Sequence, residues 1–514
     1  MTSLLPRLRK LPPEVLRALR RGIEKESLRV TADGRLALTP HPPALGSALT
    51  HEHITTDFAE AQLELITGVH PDADACVAEI TDIHRFVYAH IGDEMLWCAS
   101  MPCGLPAEDA IPIARYGSAN VARAKTVYRV GLSHRYGRRM QTISGIHYNF
   151  SLPDSAWPVA EHADPNAGYF ALIRNFQRHA WLLFYLFGAS PAVCSTFVAG
   201  RTHELVELAP GTMHLPHATT LRMGRLGYLS EAQDSLSVSC NDLESYGASL
   251  EAALTTPYPE YEAIGIRDGD DYRQLATTLL QIENEFYSTI RPKRVIRPLE
   301  RPLHALRERG VQYVEVRAMD LDPFLPVGIS AQTMRFLDVF LLHCLLTDSP
   351  PDTPAELARN GRNKQLVAAR GREPGLELER GGRRVALRAW AAEVLEECVP
   401  VAAALDEACG GGAYRHALGA ARAALDAPET LPSARVLEAM RARHGSTHNA
   451  FVLAQSRAHR ALFANDRLSR DETERRRRIA AESLAAQARI EAADDVPFET
   501  FRLQYLSPER LRPR

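Results

Sequence analysis

The spacing of hydrophobic positions changes along the chain, and the changes predict its elements. Residues 11–21 follow Leu11-Pro12-Pro13 with apolar side chains at 15, 16 and 19, which predicts a short helix. Residues 24–30 alternate polar and apolar as a strand does, and Asp33-Gly34 then supplies a hairpin-type turn. Cys76, Ile80, Ile83, Val87 and Ile91 recur at helical spacing. Residues 141–152 and 311–318 alternate again. Residues 169–187 are apolar nearly all round, as a buried helix is.

Beyond residue 330 the pattern is helical. Residues 331–346, 388–409, 431–443, 448–463 and 470–493 all read as helices, many rich in Ala and Arg. Residues 351–382 are polar and punctuated by Gly and Pro, which predicts a loop or hairpin, and Gly410-Gly411-Gly412 is a break. The expected organisation is a sheet-containing catalytic region, 1–330, with a mostly helical region, 331–514, packed on it and not an independent domain. The basic run 475–478 lies beside Glu472, Glu474 and Glu482, as on a solvated helix face with i,i+4 pairs.

Composition narrows the function. Over 514 residues, 60 Lys and Arg face 63 Asp and Glu, a net charge of −3 that argues against a nucleic-acid or membrane-surface binder. The N-terminus has no continuous apolar core of a signal peptide, and the most apolar stretch, 181–187, is too short to span a bilayer. A cytoplasmic protein is expected, with its eight cysteines reduced, because they form no C-x-x-C pair and no dense framework. No Gly precedes a Lys, so there is no P-loop, and no zinc-protease motif or paired-cysteine zinc site is present. Lysine occurs at only five positions, 10, 25, 125, 293 and 364, so anion recognition falls mainly to arginine forks.

The distinctive chemistry is acidic. Glu24 and Glu26 share one face of a strand, about 7 Å apart along it, and two carboxylates beside the apolar Leu28 and Val30 are costly without a cation. Asp57 enters a segment in which Glu60, Gln62 and Glu64 alternate with Ala61, Leu63 and Leu65. His147, Asn149 and Ser151 share a face with Gly145, which leaves room for a close approach to the backbone. Glu315 and Arg317 point away from Val314 and Val316. On spacing alone each segment also reads as a solvated strand face, with Lys25 and Arg29 screening the first pair and Glu315 bonded to Arg317. Taken together, several carboxylates and one imidazole suit Mg²⁺ or Mn²⁺ better than zinc, and clustered Mg²⁺ sites hold nucleotide phosphates.

At these residues the chain resembles the proteobacterial type of glutamate–cysteine ligase. The resemblance is carried by GIEKESLRV (22–30), LGSALTHEHITTDFAEAQLELIT (45–67), MQTISGIHYNFSLP (140–153), YLFGASPAVCSTF (185–197), LRMGRLGY (221–228), LQIENEFYSTIRPKR (280–294) and VQYVEVRAMDLDPF (311–324). It implies an α+β, glutamine-synthetase-like fold, in which a curved six-stranded antiparallel sheet forms a funnel with helices on its outer face. It implies ATP-dependent joining of the L-glutamate γ-carboxylate to L-cysteine through a γ-glutamyl phosphate, the first step of glutathione biosynthesis. Glu24, Glu26, Asp57, Glu64, His147 and Glu315 would hold Mg²⁺, with Mn²⁺ the alternative, and Arg317, Glu24 and Glu315 would be catalytic. Phe58, Tyr128, Leu132, Gln141, Arg222, Tyr228, Tyr287 and Arg317 match the substrate region, and Asn149, Arg291, Lys293 and Arg294 are candidate nucleotide contacts. The loop 197–215 is shorter than the family pattern. The implied partners are glutamate, cysteine and ATP, with no nucleic acid and no membrane, and a monomer is the working expectation.

Overall fold

The computed structural model describes residues 4–157, 164–227, 231–234, 236 and 238–513. Its main sheet contains β1 (Arg20–Val30), β2 (Ile54–Thr56), β3 (Gln62–Ile66), β4 (Met95–Leu96), β5 (Ile146–Ser151), β6 (Ile290–Lys293) and β7 (Tyr313–Met319). Six strands follow one path, β6-β7-β5-β1-β3-β2, and β4 pairs with the end of β1. The sheet is therefore seven-stranded rather than six-stranded, and all its pairings are antiparallel.

Alternation sorts the side chains of this sheet. Ile146, Tyr148 and Phe150 of β5, and Val314 and Val316 of β7, enter the main hydrophobic core with the helices Pro165–Phe187 and Ala331–Leu346. The polar members of the same strands take the opposite face, as the period of two demands. β1 is buried on both sides. Its Arg21 pairs with Asp338 of the helix Ala331–Leu346 at 3.0 Å, with both side chains buried. Asp338 also accepts a hydrogen bond from the Tyr148 hydroxyl at 2.6 Å. One ion pair thus joins β1, β5 and the central helix. A second core cluster lies around Leu28, Val30, Phe58, Trp97, Tyr128 and Phe197.

Several expected elements shift. The helix expected over 11–21 is shorter, Pro13–Arg17, because β1 already begins at Arg20, and a further helix, Leu4–Lys10, precedes it. Glu60 is not on a strand, since its carboxylate accepts the backbone N–H groups of His41 and Arg115 at 2.9 and 2.8 Å. The expected helix over 388–409 is two, Leu387–Glu397 and Val399–Cys409. The largest departure is the polar segment 351–382, which holds the helix Pro354–Arg370 before its hairpin, Glu377–Arg380 with Arg383–Ala386. The signal was local: Thr353 caps the Glu356 N–H at 3.2 Å, Pro354 occupies the first turn, and Thr-x-x-Glu is the sequence of a capping box. In the basic run, the expected i,i+4 pair forms between Glu472 and Arg476 at 2.8 Å, but Arg476 is buried rather than solvated.

The helices of the last third cover the earlier region directly. Ala331–Leu346 packs on Pro165–Phe187 and on Ala413–Asp426, and Val399–Cys409 packs on Pro13–Arg17. Cys103 and Cys194, expected as separate reduced thiols, lie side by side with Cα atoms 5.2 Å apart. They lie 91 residues apart in sequence, so spacing gave no hint of the pairing. No helix among the described residues is long and apolar enough to cross a membrane.

Asp338→Asn should leave the buried Arg21 guanidinium without a counter-charge. The expected loss is about 3–5 kcal/mol, the usual penalty for breaking a buried pair on one side only. Urea denaturation of the purified variant measures it.

Candidate active site

The register of the sheet assembles the acids. Glu24 on β1 lies across from His147 on β5, and Glu26 lies across from Glu64 on β3. Glu315 on β7 lies across from Asn149 on β5 and from Arg291 on β6. Residues up to about 290 positions apart thus share one face across five adjacent strands. Ligand atoms of Glu24, Glu64 and His147 all fall within 4.8 Å of one another.

Hydrogen bonds fix the cluster. Glu24 accepts from the Asn149 amide at 2.9 Å and lies 3.0 Å from His147 Nδ1. Glu26 accepts the Gly145 N–H at 2.8 Å, and its other oxygen is 3.4 Å from His147 Nε2. Glu315 is 3.3 Å from Lys293 Nζ and 3.3 Å from Arg317 Nη1. Asp57 sits just after β2, with its backbone carbonyl bonded to Tyr116 and Arg129.

The screening that would make this a wet strand face is absent. Lys25 points to the opposite side of β1, where Nζ meets His84 Nε2 at 2.8 Å, and Arg29 turns to Glu94 at 2.6 Å. The Glu315 side chain is only 1% exposed, so its contact with Arg317 is no surface pair. Electrostatics follow from this crowding. Burial, then the charges of Glu24, Asp57 and Glu26, push the Glu64 carboxyl well above its ordinary range. Burial also raises Glu26, with Asp57 adding to it against His147, Arg222 and Arg317. Burial acts the same way on Glu315, but Lys293, Arg317 and His147 outweigh it and hold that carboxyl well below its ordinary range. For Glu24, burial and the Glu315 charge yield to the His147 hydrogen bond and the charges of His147 and Lys293, leaving it lowered.

Two buried polar atoms here, His147 Nε2 and Asn149 Oδ1, make no hydrogen bond. Unpaired polar atoms beside surplus carboxylates form a donor set that suits a divalent cation, since such groups are otherwise paired. Oxygen donors with one imidazole are a donor set for Mg²⁺ or Mn²⁺.

Beside the acids opens a cleft of about 930 Å³, whose lining includes Arg222, Tyr287, Thr289, Arg317, Gln177 and Lys364. Arg222 donates to the Arg317 carbonyl at 3.1 Å and lies flat against Gly145, where a Cβ would collide with its guanidinium. That is the close approach for which the glycine in β5's lead-in leaves room. Gln141 donates to the Tyr287 hydroxyl at 2.8 Å. Phe58, Tyr128 and Leu132 are buried in the second core cluster, and Tyr287 packs against that cluster. Tyr228 lies outside the described residues. Arg291 is buried, bonded to the Asn284 and Phe286 carbonyls, and its pKa is pulled down to about 10 by burial and the Arg317 charge. Arg294 faces elsewhere, donating to the carbonyls of Arg309 and Gly310 at a helix end.

The sequence reading missed two supports. Asp320 accepts from Ala189 N–H, Ser190 Oγ and Thr220 Oγ1 at 2.8, 2.6 and 3.0 Å, anchoring the segment that leads to Arg222. Its signal was a carboxylate among apolar residues just past β7. Lys364 carries no site signal in a segment whose Gly and Pro content predicts a loop or hairpin.

Comparison with known proteins adds to this geometry. The family model for glutamate–cysteine ligase matches residues 7–367. The chain belongs to the glutamate–cysteine ligase family. A glutamate–cysteine ligase of Alcanivorax borkumensis is 48% identical over 504 residues, covering 95% of this chain and 96% of that protein. One of Azotobacter vinelandii is 50% identical over 503 residues, 96% of this chain and 95% of its own length. Among solved structures, glutamate–cysteine ligase from Francisella tularensis, in complex with AMP, superposes with a TM-score of 0.91 at 35% identity, covering 95% of this chain and 97% of that one. A bifunctional glutathione synthetase from Pasteurella multocida gives 0.70 at 26% identity, covering 90% of this chain and 54% of that one.

Gly145→Ala should displace the Arg222 guanidinium while leaving the sheet intact. Ligase turnover is expected to fall about tenfold or more in kcat/KM, equivalent to ~1.4 kcal/mol. Steady-state kinetics read the loss, and a melting temperature near that of the wild type separates it from misfolding.

Proposed function

We propose that this protein joins the γ-carboxylate of L-glutamate to the amine of L-cysteine, with conversion of ATP to ADP and phosphate, giving γ-glutamylcysteine as the first step of glutathione biosynthesis. Family membership over most of the chain supports the reaction. The observation that carries it to particular atoms is Arg317, which shares a strand face with Glu315 and borders both the acid cluster and the cleft.

A carboxylate is a poor electrophile because its charge is delocalised. In the proposed route a glutamate γ-carboxylate oxygen attacks the terminal phosphorus of ATP, an O–P bond forms, and ADP leaves. The amine of cysteine, having lost a proton, then attacks the acyl carbon. The C–N bond forms, the C–O bond breaks, and phosphate departs. Arg317 offers a fork of N–H donors to the charge on the transferring group, and Lys293 adds a point charge beside Glu315. Arg222 and Tyr287 bind and orient an amino-acid substrate from the cleft wall, with Phe58, Tyr128, Leu132 and Gln141 behind them. Asn149 and Arg291 are the better-placed candidates for nucleotide contact, since Arg294 faces a helix end.

Glu24, Glu26, Asp57, Glu64, His147 and Glu315 would hold Mg²⁺, with Mn²⁺ the alternative. Bound there, a divalent cation neutralises phosphate charge and holds donor and acceptor in line. A glutamine-synthetase-like funnel belongs to the same reading, supported by the antiparallel path with polar chemistry on one face and helices on the other. A cytoplasmic monomer, in two regions split near residue 330, completes it.

Incubation with ATP, Mg²⁺, glutamate and an amine, with the product weighed by mass spectrometry, tests the reaction. Cysteine should outperform ammonia and other amino acids at equal concentration, and chelation should abolish turnover until Mg²⁺ is restored. Another amine in first place would overturn the assignment.

Arg317→Lys should keep the charge and lose the two-pronged donor. A fall in kcat/KM of about tenfold or more is expected, ~1.4 kcal/mol per decade. Unchanged kinetics in the purified variant would remove Arg317 from the site.

A further inference from the structure

One wall of the cleft is lined by the helix Pro354–Arg370, and its Lys364 has no part in the chemistry assigned above. The ammonium is half-buried, and its hydrogen-bond partner is a neutral one, the Gln177 side-chain oxygen at 2.9 Å. Among the described residues no carboxylate pairs with it. Burial holds its pKa down to about 8. A cation kept from water without a counter-charge costs free energy that an anion in the cleft removes.

The lysine is wired to the reacting end of the site. Gln177 Oε1 also accepts from Thr289 Oγ1 at 3.2 Å, and the Thr289 carbonyl accepts the Arg317 N–H at 2.8 Å. That bond extends the antiparallel pairing of β6 with β7 by one residue beyond Ile290 and Val316. Lys364 lines the same cleft as Arg222 and Arg317. Both arginines are already engaged in part, Arg317 with Glu315 and Arg222 with the Arg317 carbonyl. Each amino-acid substrate brings an α-carboxylate that takes no part in the bond made or broken, and it needs a cation removed from the reacting atoms.

We propose that Lys364 binds the α-carboxylate of an amino-acid substrate in this cleft, a specificity contact on a wall separate from the sheet. The proposal deepens the ligase reading and shares its substrates. Uniform binding of this kind lowers KM without changing the chemical step.

Lys364→Gln removes the charge while keeping an amide donor for Gln177, and Lys364→Arg keeps the charge. In Lys364→Gln, KM for either glutamate or cysteine should rise about tenfold or more, with kcat within about twofold and an unchanged melting temperature. Lys364→Arg should recover most of the loss. Analogues lacking the α-carboxylate identify which substrate is held: cysteamine for cysteine and 4-aminobutyrate for glutamate, used as substrates or inhibitors, should show no penalty in the variant. Calorimetric binding of the same four compounds reads the contact even without turnover, so wild-type turnover alone reports on the ligase reading. Unchanged affinity for both amino acids, with or without a lower melting temperature, would overturn the proposal, as would an equal loss for the matching analogue.

Discussion

Everything in this protein hangs on β1 being buried on both faces. A strand of this kind cannot leave one side to water, so each side chain must find a partner inside. On one side Arg21 meets Asp338, Ile23 enters the main core and Lys25 meets His84. On the other, Glu24 and Glu26 face His147 and Glu64. The ion pair to Asp338, tied in turn to Tyr148, fixes the sheet against its central helix. Because side chains alternate along a pleated strand, fixing one face also fixes the aim of the other.

The acid face is costly by the same logic. Folding buries five carboxylates together, so burial and mutual repulsion raise the Glu64 and Glu26 carboxyls, while Lys293, Arg317 and His147 outweigh burial at Glu315 and lower it. Stability given up here creates a place where a cation and phosphate charge are welcome. The cleft beside it has the opposite character, with Arg222, Arg317 and Lys364 among its walls. A substrate bearing both carboxylate and phosphate character meets each kind of surface in turn.

The sequence by itself determined much of this. Period-two alternation placed His147 and Asn149 on one side of β5 and Glu315 with Arg317 on one side of β7, and the structure keeps both assignments. The Thr353-to-Glu356 cap was also legible, yet the segment's Gly and Pro content masked it, and the helix carrying Lys364 was read as loop. Local pattern can assign a face to a residue but not a partner. Whether Lys25 screens Glu24 or turns to His84 depends on which side of β1 the helices cover, and that is set by contacts 59 residues away. The meeting of Cys103 and Cys194, the seating of Arg222 on Gly145 and the sharing of one cleft by Lys364 and Arg317 are likewise long-range. Only the tertiary structure decided them, because hydrogen bonds and charge pairs form between neighbours in space, and spacing along the chain constrains neighbours only within a strand or a helical turn.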